Sequence, residues 1–211
     1  SSAATPSPAA TRPPPNSFFT PAASTDGIGL LPNADASYVE AYFTRPATSD
    51  VVVVTAKAPT FASGDHPSPW PTPTEDMRYW SMCVAVGVAK IPTVINRLPG
   101  GETDYGCRVD GSTTIDAAGT YTYVIGSESQ RAEISAIPGA TFLPFQTASS
   151  AKIYLLVLRN LLVNKGFNYS PRTVAKTFDP AAASAVMGPY YPTIRTCPLA
   201  AVIQRGTSGC G

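Results

Sequence analysis

The residues that could do chemistry are few. His66 is the single histidine, and it stands in Gly64-Asp65-His66-Pro67-Ser68-Pro69-Trp70. A Ser-His-Asp triad would have to use it. Yet no G-x-S-x-G elbow supplies the serine; Gly206-Thr207-Ser208-Gly209-Cys210 is the nearest approach. One histidine also removes every multi-histidine metal site. A glycosidase needs two carboxylates at a defined separation. Glu75-Asp76, Asp104 and Asp110 qualify by type alone, and adjacent carboxylates on a strand point to opposite faces. Asp110 to Asp116 lacks the acidic spacing of a calcium loop. No phosphate-binding loop, dinucleotide fingerprint or haem-attachment motif is present, so no cofactor is implied. The expectation is no catalytic residue and no metal ligand, with a non-catalytic role favoured and enzymatic activity left open.

The aromatic residues offer a second chemistry. Trp70, Tyr79, Trp80, Tyr105, Tyr121 and Tyr123 could line a face that stacks on sugar rings, since an aromatic side chain pairs an apolar face with a polar edge. A binding cleft built on Trp70, Tyr79 and Trp80, with Arg78 and His66 as polar groups, is the resulting candidate. The competing expectation is that strand aromatics belong to the core.

These residues must be positioned by a chain of 211 residues, a little above one typical domain. Hydrophobic residues make up 44% and charged residues only 14%, enough apolar material for a sizeable core and too little charge for wholesale disorder. A net charge of +1 gives no footprint for nucleic acid or an anionic membrane. The most apolar run, Ile153 to Val163, is interrupted by Arg159 and Asn160 and falls short of the roughly 20 residues a bilayer needs. The chain begins Ser-Ser-Ala-Ala-Thr without Met, as a mature product after signal removal would.

The cysteines are Cys83, Cys107, Cys197 and Cys210. An even number without a CxxC pair favours disulfides over zinc and an oxidising, extracellular compartment. Of the three connectivities, Cys83–Cys107 with Cys197–Cys210 is favoured because each closes a modest loop, and each bridge would stabilise by about 3 kcal/mol.

Residues 1–25 form a separate zone whose six prolines impose extended backbone and forbid a helix. Thr5-Pro6, Ser7-Pro8 and Thr20-Pro21 resemble acceptors for O-linked sugars, and Asn168-Tyr169-Ser170 matches the N-glycosylation pattern. The tail is expected to be held by its own domain, by a sugar coat or by a neighbouring subunit, with Phe18-Phe19 as the apolar anchor and Pro13, Pro14 and Pro15 stiffening it.

Residues 26–211 read as one mainly β domain. Tyr38 to Thr44, the β-branched run Val51 to Thr55, Met77 to Val88, Tyr105 to Val109 and Thr120 to Ile125 have strand chemistry. Ile134 to Phe145 reads as an edge segment broken by Pro138-Gly139. Ile153 to Leu162 is apolar and open between strand and helix. Ser170-Pro171 and Asp179-Pro180 each place a capping residue before a proline, predicting two short helices near the C-terminus, the second stopping before Gly188. Residues 189–211 read as an irregular segment pinned by its disulfide. The spacing suits a β-sandwich.

A family resemblance agrees with this. Leu31-Pro32-Asn33-Ala34-Asp35-Ala36-Ser37-Tyr38 is similar to the PN-x-D-T-x-Y turn and strand of a bacterial extracytoplasmic domain family of unknown function, and so is the strand Val51 to Thr55 after it. Met77-Arg78-Tyr79-Trp80-Ser81-Met82 resembles that family's RYxSMQ strand. Gly119-Thr120-Tyr121-Thr122-Tyr123-Val124-Ile125-Gly126 resembles its GTYLLVGP strand, and Leu155 to Leu162 its WLLGRTLV passage. The order and spacing agree from about residue 31 to residue 180. Ala36 replaces the threonine of the first motif, and Cys83 the glutamine after Met82. The resemblance implies a single jelly-roll-like β-sandwich outside the cytoplasm, and it brings no reaction.

Together these readings predict a secreted, disulfide-stabilised structural or adhesive protein. Its partner would be a second copy of itself, joined through residues 1–25 into an oligomer or filament. The alternative is a module, or a hydrolase, acting on extracellular polymers or glycans through the aromatic cleft. Deleting residues 1–25 is expected to leave a folded monomer.

Overall fold

Four consecutive valines, Val51 to Val54, are all buried, which a strand allows only when both of its faces are covered. Val52 and Val54 point into the main core, while Val51 and Val53 join a second apolar cluster on the opposite face. The architecture follows from that. The computed structural model describes residues 14–20, 34–62, 69–87, 91–146, 148–175 and 178–210. In chain order the elements are β1 (Ala36–Thr44), β2 (Asp50–Lys57), β3 (Met77–Val86), β4 (Asn96–Arg97), β5 (Thr103–Asp104), β6 (Cys107–Val109), β7 (Thr120–Gly126) and α1 (Arg131–Ser135). There follow β8 (Ala140–Pro144), β9 (Ile153–Val163), α2 (Pro180–Met187), β10 (Thr193–Pro198) and α3 (Leu199–Arg205). The chain is mainly β, as its sequence implied.

Two four-stranded sheets run β1-β9-β3-β6 and β10-β2-β7-β8, and β4 pairs with β5 in a small ribbon. The two larger sheets share one core. Val39, Ala41 and Phe43 of β1 and Trp80, Met82 and Val84 of β3 meet Val52, Val54, Tyr121, Tyr123 and Ile125 of the other sheet. Trp80 lies 5.2 Å from Tyr121 between ring centroids, within the range of favourable aromatic pairs. Val51, Val53 and Val124, on the outer face of the second sheet, are covered by Ile134 of α1 and by Leu199 and Val202 of α3. Pairing is antiparallel except between β7 and β8.

Both disulfides pair as the loop lengths predicted, Cys83 with Cys107 and Cys197 with Cys210. Cys83 and Cys107 are directly opposite on β3 and β6, so that bridge staples a three-residue edge strand to the sheet.

One open reading is settled and three local expectations are corrected. Ile153 to Leu162 resolves as strand, and β9 runs through the middle of its sheet between β1 and β3. The Ile134 to Phe145 segment is a helix followed by a strand: Ile134 sits buried on α1, and the edge strand begins at Ala140 beyond Pro138-Gly139. Ser170-Pro171 opens only the 3-10 turn Pro171–Thr173, because Val174 returns to extended backbone and is buried in the core. The Asp179-Pro180 signal does open a helix, the Asp179 side chain accepting from the Ala181 N–H, and Gly188 at φ 52° ends it. Finally, residues 189–211 are not irregular. They supply β10, which adds to the free side of β2, and α3.

Candidate functional site

The edge of β1 carries the first candidate. One side of β1 pairs along its whole length with β9. Its other side receives residues 16–19. The Phe19 N–H donates to the Glu40 carbonyl and the Glu40 N–H to the Phe19 carbonyl, both at 2.8 Å, and the Asn16 N–H donates to the Tyr42 carbonyl at 2.8 Å. An edge strand presents unpaired backbone groups to any chain that can reach them, and this short strap meets that demand.

The two phenylalanines split between two surfaces, as neighbours in extended chain must. Phe18 enters the main core and is 0% exposed. It meets Tyr191 edge-on at 6.3 Å, and the Tyr191 hydroxyl donates to the Phe18 carbonyl at 2.8 Å. Phe19 turns to the outer face, stacked on Tyr42 at 5.9 Å and against Phe178 at 5.6 Å. The Thr20 hydroxyl closes the strap by donating to the Ala175 carbonyl at 2.6 Å. Of the three expected holders of the tail, its own domain holds residues 14–20, and the boundary at residue 25 does not separate this segment from the core. Pro14 and Pro15 are exposed ahead of the strap. Pro13 lies outside the described residues.

Beneath the strap lies an unusual carboxylate. Glu40 is 6% exposed and has no ion pair or side-chain hydrogen bond among the described residues. Burial pushes its pKa up to about 7, because a low-dielectric setting disfavours the charged form. Asp104 shows the opposite outcome. Burial raises its pKa, but hydrogen bonds from Arg108, Arg131 and the Gly106 N–H outweigh that and hold its carboxyl well below the usual range. Arg108 and Arg131 each reach Asp104 Oδ2 at 2.6 Å, and Arg131 also pairs with Glu128. This cluster ties β5 and β6 to α1, and both oxygens of Asp104 accept hydrogen bonds within it. No group of three potential metal ligands occurs among the described residues.

The predicted aromatic cleft does not assemble as one surface. Trp80 is 0% exposed, packed on Tyr121 and edge-on to Phe61 at 6.4 Å. Tyr121 and Tyr123 are likewise core residues. Tyr79 is the neighbour of Trp80 on β3 and so faces the other side of the sheet. Arg78 and Tyr79 are half-buried, Trp70 is half-buried on the loop before β3, and Tyr105 is exposed. His66 lies outside the described residues.

Instead the fold builds a small pocket that the aromatic pattern did not show. It opens between the ends of β2, β7 and β9, lined by Lys57, Tyr121, Asn160, Phe167, Tyr169 and Tyr190 among others. The Tyr121 hydroxyl and Asn160 Oδ1 are buried there without a hydrogen-bond partner among the described residues. Asn160 stands opposite Trp80 in the β3–β9 register and faces the core like Leu156 and Leu158. Its signal was in the sequence, as the polar residue interrupting the apolar run Ile153 to Val163.

No family model and no curated protein matches the sequence. Among solved structures, the chain is similar to an uncharacterized protein from Burkholderia cenocepacia, with 12% identity and a TM-score of 0.48 over 88% of this chain and 36% of that one. It is also similar to a protein from Vibrio parahaemolyticus, with 16% identity and a TM-score of 0.43 over 81% and 32% respectively. The chain thus spans about a third of the length of each.

Proposed function

We propose that this chain is an extracellular structural subunit of jelly-roll-like design whose N-terminal strap is exchanged between copies. The observation that carries the reading is the seating of Phe18-Phe19: reciprocal backbone bonds to Glu40 and full burial of Phe18, with no covalent link holding the segment in place. Residues 21–33 join the strap to the body. The seat that takes the strap of its own chain has the same complementarity for the strap of a second copy, and strand addition of this kind gives affinity through main-chain bonds and selectivity through alternate side-chain pockets. Because donor and acceptor surfaces differ, the contact is head-to-tail and builds open filaments unless the rotation closes it. Near-zero net charge favours such association. Two disulfides support an oxidising compartment, and no helix among the described residues is long and apolar enough to cross a membrane.

Peptide capture tests the exchange. A fluorescent peptide carrying Pro14 to Thr20 should bind the intact chain saturably, by competing with the resident strap. The same peptide with Phe18→Ala should not bind. Absence of binding by the unaltered peptide, under conditions where the chain is folded, would contradict exchange.

A further inference from the structure

We propose that the pocket at the ends of β2, β7 and β9 binds a neutral hydroxylated ligand, a sugar residue, by seating one hydroxyl between Tyr121 and Asn160. The starting point is the pair of orphaned polar atoms. Tyr121 is 1% exposed and Asn160 4% exposed, and neither the Tyr121 hydroxyl nor Asn160 Oδ1 has a partner among the described residues. Native proteins rarely leave such groups unpaired, because each has given up its water without compensation. The Asn160 Nδ2 is turned toward Ser170 Oγ at 3.5 Å, which leaves Oδ1 as the acceptor facing the pocket.

Size and chemistry select the occupant. The cavity is about 10 Å³, the room of one water or one hydroxyl. A hydroxyl donates to Asn160 Oδ1 and accepts from the Tyr121 hydroxyl with a single atom. A carboxylate would meet the lone pairs of Oδ1 at the floor. An ammonium would meet Lys57, whose Nζ lies 5.3 Å from the centre of the Tyr190 ring. Burial raises the Tyr121 pKa well above its usual value, so its hydroxyl stays protonated.

The mouth suits the rest of a sugar. Phe167 meets Tyr190 edge-on at 5.0 Å, and Tyr169 stacks on Tyr190 at 5.5 Å. Tyr169 remains 48% exposed, an aromatic surface beside the opening on which the apolar face of a pyranose can rest. The walls deeper in, Leu158 and Met187, are apolar. This site shares no residue with the strap seat and stands whether or not straps exchange.

The test is calorimetric or ligand-observed NMR titration of the full chain with methyl glycosides of glucose, galactose and mannose. Glucuronate and glucosamine serve as charged controls. At least one neutral glycoside is expected to bind in the millimolar range, with about tenfold weaker binding to Tyr121→Phe and to Asn160→Leu. Tyr121→Phe keeps the fold, because the hydroxyl it removes has no hydrogen-bond partner among the described residues, so it decides the question even where Asn160→Leu does not fold. Three results would overturn the proposal: no neutral glycoside bound up to about 50 mM, which makes the cavity a water site only; unchanged binding by Tyr121→Phe; or charged controls that bind as well as the neutral sugars.

Discussion

The two ends of the described chain are fixed to the body in contrasting ways. The C-terminal end adds β10 to β2 over six residues, lays α3 over the outer valines and closes with Cys197–Cys210. Arg195 adds a hydrogen bond to the Cys210 carbonyl at 3.0 Å. The N-terminal strap makes a single bridge to β1, a few flanking hydrogen bonds and two phenylalanine contacts. One end is bound covalently into its own sheet. The other is held, among the described residues, by noncovalent contacts, which a second copy could supply equally well. Under the proposed exchange, the molecule opens at β1 rather than at β10.

The largest expected effect comes from emptying the Phe18 seat. Phe18→Ala should cost about 4 kcal/mol, read as a lowered denaturant midpoint, and should release the strap to proteases while the rest of the chain stays folded. Deleting residues 1–25 should likewise leave a folded monomer, but one less stable than the intact chain, because Phe18 is part of the core. Removing the C-terminal clamp with Cys197→Ser and Cys210→Ser together should cost about 3 kcal/mol through the loop entropy of the unfolded chain. This variant should not change strap binding. Equal protease sensitivity at both ends of the wild type would break the contrast.

Acidity sharpens it further. Burial pushes the Glu40 pKa up to about 7 from its ordinary 4.5. The folded state therefore binds the proton more tightly. Glu40's favourable contribution is complete below pH 4.5 and is lost as the pH rises through 7. The loss is at most about 3 kcal/mol. Thermal unfolding of wild type and Glu40→Gln between pH 5 and 8 should show a falling trend in the first and a flat one in the second. Asp104, with its pKa lowered, loses its contribution only as the pH falls below the ordinary carboxylate range, outside that window. The smallest effect is that of Tyr121→Phe, expected to change stability by less than about 1 kcal/mol and in the stabilising direction. A large loss would mean that the hydroxyl has a partner.

Much of the β fold was legible because its strands carry β-branched and aromatic runs, which favour extended chain. Val51 to Val54 declared a strand covered on both faces, and Asp179-Pro180 with Gly188 marked both ends of α2. The α3 helix escaped notice because Pro198 precedes it without a capping side chain, although Leu199 and Val202 already stood three apart. Of the two readings open to Trp80, cleft or core, the fold takes the core. Its side chain could be assigned to a face only once the register with β9 was known, and that register comes from pairing at long range. The same applies to the pocket. Tyr121 and Asn160 belong to different sheets, and nothing local says that they meet. The strap was half legible: two adjacent phenylalanines in a proline-rich tail demand burial, but the edge that buries them is set by the topology.

The central claim is exchange of the strap between copies, and the solution mass of the intact, non-reduced protein tests it most directly. Light scattering across a concentration series, with electron micrographs of the same samples, should show regular assemblies that revert to single chains when excess Pro14 to Thr20 peptide is added. A mass that stays at 22.0 kDa throughout, with the strap of every chain closed on its own β1, would contradict the account.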